Sequence, residues 1–207
     1  MSVAQPILIG FGPSVYTRAV RMAAIHYGVA FTWQSWNPFA DPEKGLHPFA
    51  RVPVWLEDDL TIYETSAILT YLDARSGVSC VTPLRAARVQ QVASVVDSYG
   101  YWPLIRQVYA HAVYRRREGL EPDIQEVEGG MAQAPTVLAE LDAFAKEGHV
   151  LNGQDWCRAD WHLAPMIAAF VQHPPAADLL AEFTVLSTWY DAVRHLPAFA
   201  ETERELT

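Results

Sequence analysis

Strand-like segments are confined to roughly the first 75 of the 207 residues, and that asymmetry dictates a two-part fold. Pro6 to Phe11 is a short apolar run bounded by Pro and Gly, the pattern of a buried strand. Ser14 precedes apolar residues at helical spacing (Val15, Ala19, Met22, Ala23, Tyr27), and Gly28 sits where a helix C-cap is expected. Val29 to Trp33 reads as a second strand, so strand–helix–strand predicts a parallel, right-handed unit. Residues 37–51 hold Pro38, Pro42, Gly45 and Pro48 and read as loop. Val52 to Leu56 and Leu60 to Tyr63 flank the acidic turn Glu57–Asp58–Asp59 and predict an antiparallel hairpin. Helical periodicity resumes from Glu64 to Arg75.

Beyond Ser79 the strand pattern stops. Pro83 opens a helix with Val89, Val92, Val96 and Tyr99 on one face, and Pro103 is placed to kink its continuation. Arg115–Arg116–Arg117 reads as a solvated helix end, and Met131 to Lys146 as a helix ending at Gly148. Trp161 to Val171 reads as a buried helix, followed by short helices through Arg204. The expected fold is α/β plus all-α: a βαβ-ββα domain over 1–75, a linker over 76–84 and an all-helical domain over 85–207.

Composition narrows the function. Hydrophobic residues at 51% and charged residues at 19% exclude a disordered chain. A net charge of -9 argues against a nucleic-acid or membrane-surface partner, either of which selects a basic face. The acidity is unequal. Through Arg75 there are five basic and seven acidic residues, against ten and seventeen beyond. Only two cysteines occur, Cys80 and Cys157, which fits a reducing compartment. No run approaches a membrane span, and Met1 to Leu8 lacks a signal-peptide pattern, so a cytoplasmic protein is expected. The seven histidines show no metal spacing, and no metal is expected. His162 reads as a hydrogen-bonded core histidine.

Three places carry chemistry. Gly12–Pro13–Ser14 lies between the first strand and first helix, where unpaired N–H groups and the helix dipole favour an anion such as a thiolate. Ser14 also serves there as a plain N-cap. Val52–Pro53 opens a strand with a residue that cannot donate to the ladder. A cis bond would free the Val52 backbone for an extended ligand, whereas a trans edge proline would not. Glu64–Thr65–Ser66 opens a helix and pairs a carboxylate for an ammonium group with N–H and hydroxyl donors for a carboxylate, or simply caps the helix.

Taken together, Pro48-Phe49-Ala50-Arg51-Val52-Pro53-Val54-Trp55-Leu56 and Glu64-Thr65-Ser66-Ala67-Ile68-Leu69-Thr70-Tyr71-Leu72 resemble the cytosolic glutathione S-transferase family, in particular a Ser-type, bacterial-like member. The resemblance runs over nearly the whole chain. It implies a thioredoxin-like first domain, glutathione as co-substrate, a detoxifying transferase activity and a homodimer. It further implies that Ser14 donates to the glutathione sulfur, with Tyr16 as the fallback. Val52, before a cis Pro53, would pair with the cysteinyl part, Glu64 and Thr65 would hold the γ-glutamyl end, and Arg51 would meet the glycyl carboxylate. His47 stands where the family often has Asn, a departure without an assigned consequence.

Leu151-Asn152-Gly153 and Cys157-Arg158-Ala159-Asp160 resemble the family's capping-box helix, with Cys157 in place of Ser or Thr. A thiol is a weak acceptor, so one arm of that box is weakened, and Trp156 and Trp161 are expected to pack around it. The electrophile, an apolar molecule, is assigned to the helix residues Tyr99, Trp102, Ile105, Arg106 and Tyr109, a face that also suits core or dimer packing. The rivals are isomerisation, dehalogenation or peroxide reduction with glutathione on the same fold, and a non-catalytic binding protein.

Overall fold

Four strands form one mixed sheet in the order β2-β1-β3-β4. They are β1 (Ile7–Gly10), β2 (Thr32–Ser35), β3 (Val54–Glu57) and β4 (Leu60–Tyr63). The computed structural model describes residues 5–42, 47–78 and 82–203. Cys80 and the loop residue Gly45 lie outside them. β1 pairs parallel with β2 and antiparallel with β3, and β3 pairs antiparallel with β4. Helices α1 (Val15–His26) and α2 (Thr65–Arg75) complete the βαβ-ββα pattern. Leu8, Val54, Trp55, Ala19, Met22, Ile68, Leu69 and Leu72 are fully buried in this unit.

The second strand starts three residues later than its β-branched and aromatic run suggests, and the exit of α1 gives the reason. Gly28, at φ +67°, turns the chain in the left-handed conformation that closes a helix. The Val29 N–H then donates back to Ala24 O at 2.9 Å. Pairing begins only when the Thr32 N–H reaches Pro6 O at 2.7 Å. At the far end of the β3–β4 hairpin, Glu57 is buried and accepts from Trp55 Nε1 at 3.2 Å, Tyr71 Oη at 2.7 Å and Arg75 Nη1. The acid of the expected turn therefore ties the hairpin to α2.

The chain divides into two compact units, residues 1–79 with 195–207, and residues 80–194. This differs from an all-helical domain running unbroken to 207. The last helix, α10 (Pro197–Glu203), packs on α1. The reason is Arg18, a cation on α1 whose residue is 2% exposed. A buried guanidinium needs acceptors. Arg18 Nε donates to Thr202 Oγ1 and Nη2 donates to Phe199 O, both at 3.2 Å, and its guanidinium carbon sits 4.4 Å from the Phe199 ring centroid.

The helical unit holds α3 (Pro83–Val95), α4 (Val96–Tyr114), α5 (Arg115–Arg117), α6 (Ile124–Glu147), α7 (Arg158–Phe170), α8 (Pro174–Glu182) and α9 (Thr184–Arg194). The first three run on without a break in helical backbone, and α4 is wound in the wide π register around Pro103. Proline has no N–H to donate in either register, and its ring crowds the preceding turn; the wider winding eases that crowding. Helix α6 begins at Ile124, earlier than expected, because the Asp123 carboxylate accepts from the N–H groups of Gln125 (3.1 Å) and Glu126 (3.3 Å).

Gly130 of α6 packs tightly against α4. A Cβ there would lie 2.7 Å from Pro103 O and 2.8 Å from Gln107 Cβ. Gly130→Ala is expected to destabilise the protein by about 1–3 kcal/mol, because backbone must move to admit the methyl group. Urea denaturation of the two proteins checks this, and an unchanged midpoint would refute it.

Helix α7 is buried along nearly its full length. His162 is buried on it, with Nε2 2.8 Å from Asp97 Oδ1. At its start, Asp160 Oδ2 accepts from the Cys157 N–H at 2.9 Å and Oδ1 accepts from Trp189 Nε1 at 2.8 Å. The reciprocal arm runs from the Asp160 N–H to the Cys157 sulfur. The Trp156 and Trp161 rings pack together beside this cap, with centroids 6.0 Å apart. No described helix is long and apolar enough to cross a membrane.

Candidate functional site

Sheet register brings three chain segments to one end of the first unit. Ile9 of β1 pairs with Val54, and Val54 pairs with Tyr63. Ser14 follows β1 from that row. Val52–Pro53 enters β3 at the same row, because β3 runs antiparallel to β1. Glu64–Thr65 leaves β4 there as well. Helices α1 and α2 consequently both begin at this end of the sheet, each presenting a positive N-terminus.

Ser14 is the N-cap of α1. Its Oγ accepts from the Thr17 N–H at 3.2 Å. A hydroxyl has one donor hydrogen besides its acceptor pairs, so this cap leaves the Ser14 O–H free to donate. Thr17 is buried and steadies the preceding turn, with Oγ1 accepting from the Phe11 N–H at 3.4 Å. Tyr16 lies half-buried in the first turn of the same helix.

The Val52–Pro53 bond is cis. Val52 is half-buried, and the ladder pairing of β3 starts two residues later at Val54. Arg51 beside it is exposed.

Glu64 is the N-cap of α2 and has φ +70° and ψ 122°, a conformation rare for a residue with a side chain. Such backbone costs about 1–3 kcal/mol and persists where its surroundings impose it. Here the Glu64 carbonyl accepts from the Ala67 and Ile68 N–H groups, each at 3.0 Å. Its side chain makes no cap bond and points outward. Thr65 is buried at the head of the helix.

His47 joins these segments. Its Nδ1 accepts from the Phe49 N–H at 3.1 Å, the bond an Asn side chain would make in the same tight turn. Its Nε2 lies 3.4 Å from Glu64 Oε1, and its ring centroid is 4.9 Å from that of Tyr63. Burial lowers the imidazole pKa from its ordinary value. The Glu64 carboxylate opposes that shift and Arg51 adds to it. The sequence left His47 without a role, and the signal lay in the replacement itself: a ring nitrogen can stand where an amide oxygen closes the turn.

Residues 13–75 match the sequence model of the family described as "Glutathione S-transferase, N-terminal domain". The chain is 26% identical to "Glutathione S-transferase" of Triticum aestivum, across 96% of this chain and 93% of that protein. It is 25% identical to "Glutathione S-transferase 3" of Zea mays, across 76% and 72%. The chain is thus similar to glutathione S-transferases, over its first domain in the family model and over most of its length in these relatives.

Solved glutathione transferase structures agree on the fold. Glutathione transferase F7 from Populus trichocarpa superposes with a TM-score of 0.82 at 23% identity, covering 98% of this chain and 99% of that one. Glutathione S-transferase I bound with lactoylglutathione superposes with a TM-score of 0.85 at 18% identity, covering 98% and 100%.

The residues assigned from the sequence to the electrophile divide by exposure. On α4 of the helical unit, Tyr99 is 67% and Trp102 57% exposed, and Arg106 is exposed as well. Ile105 and Tyr109 are buried. The first three are open to a ligand, whereas the other two belong to the packed side of the helix.

Proposed function

We propose that this protein is a glutathione transferase of the Ser type, acting on apolar electrophiles. The observation that carries this reading is the convergence of the Ser14 hydroxyl, the Val52 backbone and the Glu64–Thr65 helix start at one end of the sheet. Glutathione offers a thiol, a peptide backbone, and an ammonium and carboxylate pair at its γ-glutamyl end. Each finds a matching group there. Ser14 O–H donates to the sulfur, and the positive end of α1 lowers the thiol pKa. Val52 pairs with the cysteinyl backbone. Glu64 takes the ammonium, Thr65 the adjoining carboxylate, and Arg51 the glycyl carboxylate.

In the reaction the thiol proton leaves to solvent. A sulfur lone pair then forms a C–S bond at the electrophilic carbon, and the displaced electron pair departs with the leaving group or moves into its conjugated system. Tyr99, Trp102 and Arg106 supply the apolar and cationic contacts for the electrophile. Assembly as a homodimer and a cytoplasmic location are part of the same reading.

Ser14→Ala tests it. A hydrogen bond to a charged group is worth about 1.5–3 kcal/mol. The variant is therefore expected to lose the ultraviolet band of bound thiolate near neutral pH and to turn over a model electrophile roughly tenfold to a hundredfold more slowly. Tyr16→Phe is expected to stay within about twofold of the parent. The opposite pattern would move the role to Tyr16. Bound glutathione without a thiolate band in the parent would instead favour a non-catalytic binding protein.

A further inference from the structure

We propose that His47 is a positioning residue for glutathione, holding the Glu64 carboxylate in place for the γ-glutamyl ammonium and competing with that ammonium for the carboxylate when the imidazole is protonated. The proposal rests on the glutathione reading above and adds to it a residue and a pH dependence.

The tautomer follows from the geometry. The Phe49 N–H donates to His47 Nδ1 at 3.1 Å, so Nδ1 carries no hydrogen. In the neutral ring the proton must then be on Nε2, which lies 3.4 Å from Glu64 Oε1. The imidazole thus donates to the carboxylate while accepting from its own loop. The contrast in exposure shows what this contact does. The His47 side chain is 2% exposed, fixed by the turn and by the Tyr63 ring, whereas the Glu64 side chain is 65% exposed and lacks a cap bond of its own. A rigid donor thereby restrains a mobile acceptor. An unrestrained glutamate would lose rotamer freedom on binding, and its restraint beforehand lowers that entropic cost.

Protonation disturbs this arrangement in two ways. Imidazolium donates from both nitrogens, so Nδ1–H would confront the Phe49 N–H and the turn would lose its acceptor. The added positive charge would also sit beside the carboxylate that is to receive an ammonium group. Among the described residues, the charged and titratable groups facing His47 are Glu64 at the start of α2, Arg51 on its own loop and the Tyr63 phenol on β4. Burial and Arg51 disfavour the cation, so the neutral ring prevails at neutral pH and the loss appears on the acid side.

His47→Asn separates these roles, because Asn Oδ1 can still accept from the Phe49 N–H but is too short to hold Glu64. The probes are glutathione and glutaryl-cysteinyl-glycine, which is glutathione without its γ-glutamyl amino group. Binding is measured by calorimetry, and KM and kcat with a model electrophile, between about pH 5 and pH 8. At neutral pH the variant is expected to bind glutathione roughly threefold to tenfold more weakly, in line with one hydrogen bond, with kcat at saturating glutathione unchanged. For the glutaryl peptide the two proteins should agree within about twofold. The parent's KM for glutathione should rise toward acid more steeply than the variant's.

Equal weakening toward both peptides would make His47 a loop-folding residue only and overturn the proposal, as would unchanged glutathione binding. A parent protein that binds no glutathione would overturn the glutathione reading itself, and the proposal with it.

Discussion

Replacing Arg18 by alanine is expected to cost on the order of 3–5 kcal/mol, the largest effect of any single change considered for this chain. Three losses combine. A long side chain disappears from a site that is 2% exposed and leaves a cavity. Phe199 O loses a donor and Thr202 Oγ1 loses the charged partner it accepts from. The Phe199 ring loses the cation 4.4 Å from its centroid. Relief from burying a charge offsets part of this, and Arg18→Met exposes that part: it fills the volume without the donors, so its cost should be clearly smaller. Thermal unfolding measures the totals, and hydrogen exchange locates them. In Arg18→Ala the amides of α10 should exchange faster, while those of α6 and α7 should keep their protection. An alanine variant as stable as the parent would refute the account.

The second large effect is a pH dependence centred on Asp160. Hydrogen bonds from the Cys157 N–H, Trp189, the Cys157 thiol and its own backbone favour its ionised form, yet complete burial outweighs them and the carboxyl pKa is pushed up to about 6, from an ordinary 3.8. The folded protein therefore binds this proton more tightly than the unfolded chain does. The resulting stabilisation is fully present below about pH 4 and is lost as pH rises toward about pH 6, for a total of about 3 kcal/mol. Asp160→Asn removes the titration and, having one acceptor oxygen, sacrifices one of the two bonds from Cys157 N–H and Trp189 Nε1. The variant should be less stable than the parent at about pH 4, and its deficit should shrink by about 3 kcal/mol by about pH 7. Urea denaturation of both proteins across that range checks this. A constant difference would show that Asp160 does not titrate there.

Much of the fold was legible because local and global signals agreed. The period-2 and helical patterns up to Arg75 carried the βαβ-ββα order, and Ser14, Val52–Pro53 and Glu64–Thr65 stood out at element ends. Misreadings arose where a distant contact decided the outcome. The expected helix opens at Met131, yet α6 starts at Ile124 and takes in Gly129 and Gly130, because Gly130 fits against Pro103 and the Asp123 cap starts the helix before them. The aromatic stripe on α4 joined exposed Tyr99 and Trp102 to buried Ile105 and Tyr109, since the π winding through Pro103 changes which residues share a side. The positive φ of Glu64 and the reach of His47 to its carboxylate depend on a loop and a helix start that lie far apart in sequence. Nothing local marks Arg18 as the anchor for a helix 180 positions later, beyond a charged residue on the buried face of α1.

That anchor makes folding a matter of timing. The unit that carries the proposed glutathione groups is finished by Phe199 and Thr202, which the ribosome adds only after the whole of Cys80 to Arg194. At usual rates of synthesis that stretch takes roughly ten seconds. Throughout the delay Arg18 lacks the two acceptors that α10 brings, so a segment made early is completed late. An otherwise early-folding unit thus waits for the intervening helical unit to be made.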